Sequence, residues 1–191
     1  MDMGLRGLIE EKKPVIIKRW FEAIINTYPA DTSGFMKKQK DPFANPVGFT
    51  FSQGIEKIVT ALLLGEDMAT VTESLTDMIK VRAVQNFTPS QAVAFVFTLK
   101  KIIREELGGT IEKRHISEAL NAFEVKIDEL ALSSFDIYSQ CREQLNEIKV
   151  MELKNMTFGL LRQANLVKDL PAEQSGNGEL SVKTKRKEGV K

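Results

Sequence analysis

His115 is the only histidine of the chain and the first residue to examine for metal-binding or catalytic chemistry. With Glu112 it forms a Glu-x-x-His pair, the spacing by which one helix supplies a carboxylate and an imidazole to a di-iron site. Such a site needs this pair twice, and the chain has no second histidine. We therefore predict no metal site and interpret His115 as a surface residue near the start of a helix.

Nucleophilic catalysis and nucleotide binding also lack their sequence signatures. A serine or cysteine triad would have to use His115, and no G-x-S-x-G elbow accompanies it. The G-x-x-x-x-G-K phosphate loop is absent, and Gly108 with Gly109 is typical of a helix end. The titratable residues form no set of acid, base and nucleophile, so we predict that the protein is not an enzyme and needs no cofactor.

Arg82, Gln85 and Asn86 are the polar residues that most need an explanation, because they lie among apolar residues beside a predicted helix junction. Two interpretations stay open. In the first, the Arg82 guanidinium binds the carbonyls that end one helix while Gln85 reaches the next. In the second, these residues line a pocket that binds a small anionic or polar signal.

The second interpretation involves four more residues. Lys100 and Arg104 on the following helix would add positive charge to the pocket, and Trp20 and Phe21 would form its walls. In the first interpretation Trp20 and Phe21 are ordinary core residues.

The elements that position these residues are all predicted to be helices, since apolar residues recur at helical spacing and no strand pattern is evident. Thr88, Pro89 and Gln91 have the types that a capped helix start requires. We predict an all-α fold, either globin-like or a multi-helix bundle. Its helices span about 5–28, 46–65, 67–86 and 88–108, with Pro14 kinking or dividing the first and a short helix near 32–38.

A long C-terminal helix is predicted over about 117–166, where apolar or small residues recur at steps of three and four. A single helix of this length would be about 75 Å long and would need a partner. We predict a dimer seam with coiled-coil spacing at Leu130, Tyr138, Cys141, Leu145 and Ile148. In an alternative interpretation, the core helix ends near residue 139 and a separate helix follows. The role of Cys141 is also open: it is either a packed thiol or a redox-sensitive dimer contact.

Composition limits the remaining possibilities. The formal charge is +1 and there is one cysteine, which suits a reducing compartment, so we predict a cytoplasmic location. The N-terminus lacks the pattern of a signal peptide, and no apolar stretch is long enough to suggest a membrane span. We predict a helical sensor domain over 1–139, a helix extension over 140–168 and a disordered basic tail over 169–191. The basic run 183–187 is either a solvated tail or a contact for acidic protein or nucleic acid, although the near-neutral chain predicts no nucleic-acid partner.

Residues 17–106 resemble a known family, the N-terminal domain of the RsbRD-type RsbT co-antagonists, which are sensory modules of the bacterial stressosome. The match is carried by several ordered motifs rather than one. These are the Trp20 helix ending in Tyr28-Pro29, Asp41-Pro42-Phe43, Asn45-Pro46-Val47-Gly48, Leu63-Leu64-Gly65, RAVQNFTPSQAV over 82–93, and Leu99-Lys100 with Arg104.

The resemblance implies an all-helical, dimeric, non-haem globin-like sensor that is joined by a helix to a C-terminal STAS domain. No STAS domain follows in this chain, so that domain's phosphoacceptor residues and kinase-binding surface are not carried over. We expect a non-enzymatic regulatory domain that dimerises and transmits a signal to a protein partner. The alternative is a ligand- or redox-sensing accessory subunit of a larger metabolic complex.

Overall fold

The computed structural model describes residues 3–39, 41–85 and 87–164, and within these ranges the chain forms helices and no strand. The all-α prediction and the long C-terminal helix are confirmed, while the globin-like topology stays a prediction. The helices are α1 (Met3–Ile25), α2 (Ala30–Lys38), α3 (Pro46–Leu64), α4 (Met68–Val84), α5 (Pro89–Leu107), α6 (Thr110–Lys113) and α7 (Ser117–Gln163).

Local sequence sets the start and end of α3 and the start of α5. The Asn45 side chain accepts a hydrogen bond from the backbone N–H of Gly48 and begins α3, and Gly65 ends it with φ at 72°. Thr88 and Gln91 form the predicted capping box of α5. Pro14 lies inside α1, which runs through it as one helix and ends three residues before Tyr28.

The core lies between α1, α3, α4 and α5. Helix α3 packs against α4 and α1, and α1 also packs against α5. By length and composition alone α3 could cross a membrane, but half of its apolar window is buried within the fold. A core helix meets the same criteria, and that is the role that α3 has here.

Helix α7 contributes one face to this core through Leu120, Phe123, Ile127, Leu130, Ser134 and Tyr138. Leu130 and Tyr138 are therefore buried against their own chain, and Cys141 packs partly against the same core. A dimer seam on α7 remains a prediction. A helix that packs on its own chain has the same spacing of apolar residues as a coiled coil, so the sequence alone does not distinguish the two.

Two compact units are separated within α7, one ending at Arg142 and the other beginning at Glu143. The predicted boundary at 139 remains a prediction. The predicted tail, 169–191, lies outside the described residues.

Candidate functional site at the α4–α5 junction

Arg82, in the last turn of α4, is fully buried, with 0 % of its surface exposed. Its Nη1 donates a 3.2 Å hydrogen bond to Oγ1 of Thr27, and its Nη2 donates a 3.0 Å hydrogen bond to the carbonyl of Gln91. These contacts connect α4 to the chain after α1 and to the start of α5. Among the described residues nothing pairs with Nε of Arg82.

Three aromatic rings enclose the same guanidinium. Its Cζ lies 4.0 Å from the ring centroid of Phe87, 5.4 Å from that of Phe95 and 5.7 Å from that of Tyr28. The face of an aromatic ring attracts a cation, and it does so more strongly where water is excluded. The rings thus supply part of the stabilisation that a carboxylate usually gives to a buried arginine.

The electrostatics of the site depend on the burial of Arg82. None of the ion pairs within the described ranges includes Arg82, and burial lowers the pKa of its guanidinium. Burial also raises the pKa of the Tyr28 hydroxyl, while the positive charge of Arg82 acts in the opposite direction. The cluster therefore holds a cation among neutral groups.

Gln85 and Trp20, both predicted to belong to this site, connect to it through hydrogen bonds. The Tyr28 hydroxyl donates to Oε1 of Gln85 at 2.8 Å, so Gln85 bonds to the end of the α1 segment. Trp20 Nε1 donates to the carbonyl of Phe95 at 2.8 Å, and the Trp20 and Phe95 rings pack at 6.1 Å.

Two other predicted residues add less. Phe21 is partly buried against the core, and Asn86 lies outside the described residues.

Lys100 and Arg104 instead pair with acidic residues of α7. Lys100 Nζ lies 2.9 Å from Oδ1 of Asp128 and 3.9 Å from Oε2 of Glu124. Arg104 donates to both carboxylate oxygens of Glu124, and this interaction raises the pKa of its guanidinium. Their charges are thus compensated by α7, and a pocket that they share with Arg82 remains a prediction.

Two α7 residues contact the junction, and the sequence interpretation did not place them there. The Tyr138 hydroxyl donates a 2.7 Å hydrogen bond to the carbonyl of Phe87. Arg142 Nη1 donates a 3.2 Å hydrogen bond to the carbonyl of Ala83. Tyr138 gave a weak signal in the sequence, because a tyrosine in an apolar seam needs a partner for its hydroxyl.

Open grooves in the described part of the chain lie elsewhere. One of about 410 Å³ lies between α3 and α4, and one of about 390 Å³ lies beside the start of α1 and the end of α3. Neither is lined by the residues of the predicted pocket. In the described part of the chain no three His, Cys, Asp or Glu residues are grouped to hold a metal ion.

The comparison with family models agrees with the sequence resemblance. The family model described as the RsbT co-antagonist protein rsbRD N-terminal domain matches residues 14–150. No curated protein and no solved structure matches the chain. The matched segment covers most of the chain, including the Arg82 junction and the part of α7 that contacts it. The chain therefore belongs to the family of RsbT co-antagonist rsbRD N-terminal domains.

Proposed function

We propose that this protein is a non-enzymatic, cytoplasmic regulatory domain that works as a homodimer and passes a signal to a protein partner through α7. Membership of the family supports the general class, a stressosome-type regulatory sensor domain. The dimer, the cytoplasmic location and the transmission through α7 are the further steps of the proposal.

The observation that carries the proposal is that α7 is bonded to the Arg82 junction and then continues well beyond it. Tyr138 and Arg142 hold the carbonyls of Phe87 and Ala83, and the same helix extends to Gln163. A shift of the junction would therefore act directly on α7, which continues beyond Arg142, the last residue of the first compact unit.

The surface of α7 after Arg142 supports pairing with a second copy. Leu145 is partly exposed and Ile148 is 54 % exposed, and Ile148 continues the near-heptad spacing of the buried face. Further large apolar side chains are exposed along the same segment: Val150, Met151, Leu153, Met156, Phe158 and Leu160. So many exposed apolar residues within one helix are typical of an interaction surface.

The test is the solution mass of the full chain, measured by light scattering after size exclusion. We expect a dimer for the natural sequence and a monomer for the double variant Leu145→Asp, Ile148→Asp. The control is Lys154→Asp, which places the same side chain on the opposite side of the same helix and should leave the dimer intact. A monomeric natural protein, or a double variant that stays dimeric, would contradict the proposed pairing.

One observation favours the alternative, in which the protein senses a small ligand as an accessory subunit. Arg82 is a buried cation without a carboxylate among the described residues, and its Nε is unpaired. Binding of an anion there would raise the melting temperature and change the fluorescence of Trp20, the only tryptophan. Inorganic phosphate, nitrate and formate at constant ionic strength are suitable probes, with Arg82→Met as the control. A response that is lost in Arg82→Met would support the alternative.

A further inference from the structure

We propose that Phe87 is the coupling residue of this domain, through which the buried Arg82 cluster and helix α7 change state together. The inference rests on the proposed function and deepens it, because it names the residue by which the junction regulates α7. Phe87 is a positioning residue in this account: it transmits a change and binds no signal itself.

Phe87 contacts α4 and the segment after α1 with its ring, and α7 with its backbone carbonyl. Its ring lies 4.0 Å from Cζ of Arg82 on α4 and packs edge-on at 5.3 Å against Tyr28, which follows α1. Its backbone carbonyl accepts the hydrogen bond from Tyr138 on α7.

Phe87 lies in the connection between two helices. Helix α4 ends at Val84 and α5 begins at Pro89, so the Phe87 backbone belongs to neither helix and has no helical hydrogen bond to hold it. The ring and the carbonyl share one Cα, so a backbone shift at Phe87 changes the Arg82 contact and the Tyr138 contact at once.

A second contact couples α7 to the other side of the connection. Arg142 binds the carbonyl of Ala83, which is one of the last four carbonyls of α4 and lacks a partner within that helix. Helix α7 therefore bonds both to the end of α4, through Ala83, and to the connection that follows it, through Phe87. A rearrangement of the connection cannot leave both bonds unchanged.

The Arg82 cluster is suited to having two states. Its cation is held by one hydroxyl, one carbonyl and three rings, and each of these interactions is modest compared with a buried ion pair. Desolvation of the charge opposes them. A small perturbation near Arg82 therefore has more effect here than in a cluster with a carboxylate partner.

A double-mutant cycle tests the coupling, because Arg82 and Tyr138 form their hydrogen bonds with different partners. The variants are Arg82→Lys, which removes the planar group over Phe87, and Tyr138→Phe, which removes only the hydroxyl. We expect the effect of Arg82→Lys on the unfolding equilibrium constant, from urea denaturation, to change more than about twofold when Tyr138→Phe is also present. A change of about twofold or less would mean that the two sites are independent and would overturn the inference.

The matched control is Ser134→Ala, which removes another buried hydroxyl of α7. Ser134 donates to the carbonyl of Leu130 within its own helix and does not contact the connection. Its cycle with Arg82→Lys should therefore be additive. If Arg82→Lys does not fold, Thr27→Ala replaces it, since Thr27 is exposed and its hydroxyl accepts from Arg82 Nη1.

Hydrogen exchange supplies a readout that a purely structural role would not move. In Arg82→Lys or Thr27→Ala, we expect faster amide exchange in the α7 turns around Tyr138 and unchanged exchange around Glu124, which is held by α5. Equal loss of protection along α7 would contradict the inference.

The two proposals fail separately. If the protein is a monomer but the mutant cycle shows coupling, the dimer proposal fails and the role of Phe87 stands. If the protein is a dimer but the mutant cycle is additive, the role of Phe87 fails and the dimer proposal stands.

Discussion

Arg104 on α5 holds Glu124 on α7 with two hydrogen bonds, from Nε to Oε1 at 2.5 Å and from Nη2 to Oε2 at 2.8 Å. Glu124 is only 7 % exposed, so its carboxylate has lost most of its water. This pair fixes α7 to the core at a point fourteen residues, or about 21 Å, before Tyr138 binds the junction. Helix α7 is thus anchored by a charged pair at one point and by hydrogen bonds to backbone carbonyls at the other.

Arg104→Ala should destabilise the protein by about 2 kcal/mol, because it leaves the buried Glu124 carboxylate without its main partner. The value is below that for a fully buried pair, since half of the Arg104 side chain is exposed. Glu124→Gln in the Arg104→Ala background should recover part of the loss. Urea denaturation gives the free energies of unfolding.

The control for this prediction is Lys101→Ala on the same helix. Lys101 is 78 % exposed and its ion pair with Glu105 is 3.9 Å long, so its removal should change stability by no more than about 0.5 kcal/mol. Equal effects of Arg104→Ala and Lys101→Ala would show that burial of Glu124 contributes nothing.

The sequence predicted the elements whose ends depend on local chemistry. Asn45, Gly65, Thr88 and Gln91 cap their helices as their residue types require, and the long C-terminal helix is continuous in the structure. Capping is decided within a few residues, and for that reason one sequence is enough to find it.

Contacts between distant helices were not predictable in the same way. The spacing of Leu130 and Tyr138 fits both an intrachain core and a dimer seam, and only the packing of α7 on its own chain decides between them. Likewise, Lys100 and Arg104 were grouped with Arg82 because of their charge. In the structure they pair with Asp128 and Glu124 of α7. Pairing partners that are twenty or more residues apart leave no local pattern.

Tyr28 should ionise at a higher pH in the folded protein than in the unfolded chain. Burial raises its pKa above the ordinary value near 10 and thus favours the neutral hydroxyl. Its contribution to stability is fully present below pH 10 and is lost as the pH rises through the folded-state pKa. The chain has two tyrosines, so tyrosinate absorbance in Tyr138→Phe reports Tyr28 alone.

The charge of Arg82 supplies the control for this titration. Because that charge lowers the pKa of Tyr28, Arg82→Met in the Tyr138→Phe background should move the midpoint to still higher pH. The same titration in concentrated urea should return the midpoint to about 10. A folded-state midpoint at the unfolded value would show that the Tyr28 hydroxyl is solvated.

His115→Gly should stabilise the protein by up to about 1 kcal/mol. His115 has φ at 52°, in the left-handed region that costs a residue with a Cβ about 1 kcal/mol or more and that glycine adopts freely. The neighbouring Arg114 has φ at −102°, so Arg114→Gly gives no such gain and should be neutral or slightly destabilising. Thermal denaturation compares the two, and a lower melting temperature for His115→Gly than for Arg114→Gly would contradict this account.

Arg82→Met should keep the fold although it removes a fully buried charge. Methionine has a similar length and packs well against aromatic rings, and replacing a buried charge by an apolar group of similar volume is often neutral. We expect its free energy of unfolding to lie within about 1 kcal/mol of the natural value, whereas Arg82→Ala opens a cavity among Tyr28, Phe87 and Phe95 and should lose about 2–5 kcal/mol. A loss as large for methionine as for alanine would mean that the hydrogen bonds to Thr27 and Gln91 hold the junction in place. If Arg82→Met is stable, packing alone is enough for the fold. If Thr27→Ala also has no effect on α7 hydrogen exchange in the Arg82→Met background, the buried charge is needed for the response of α7.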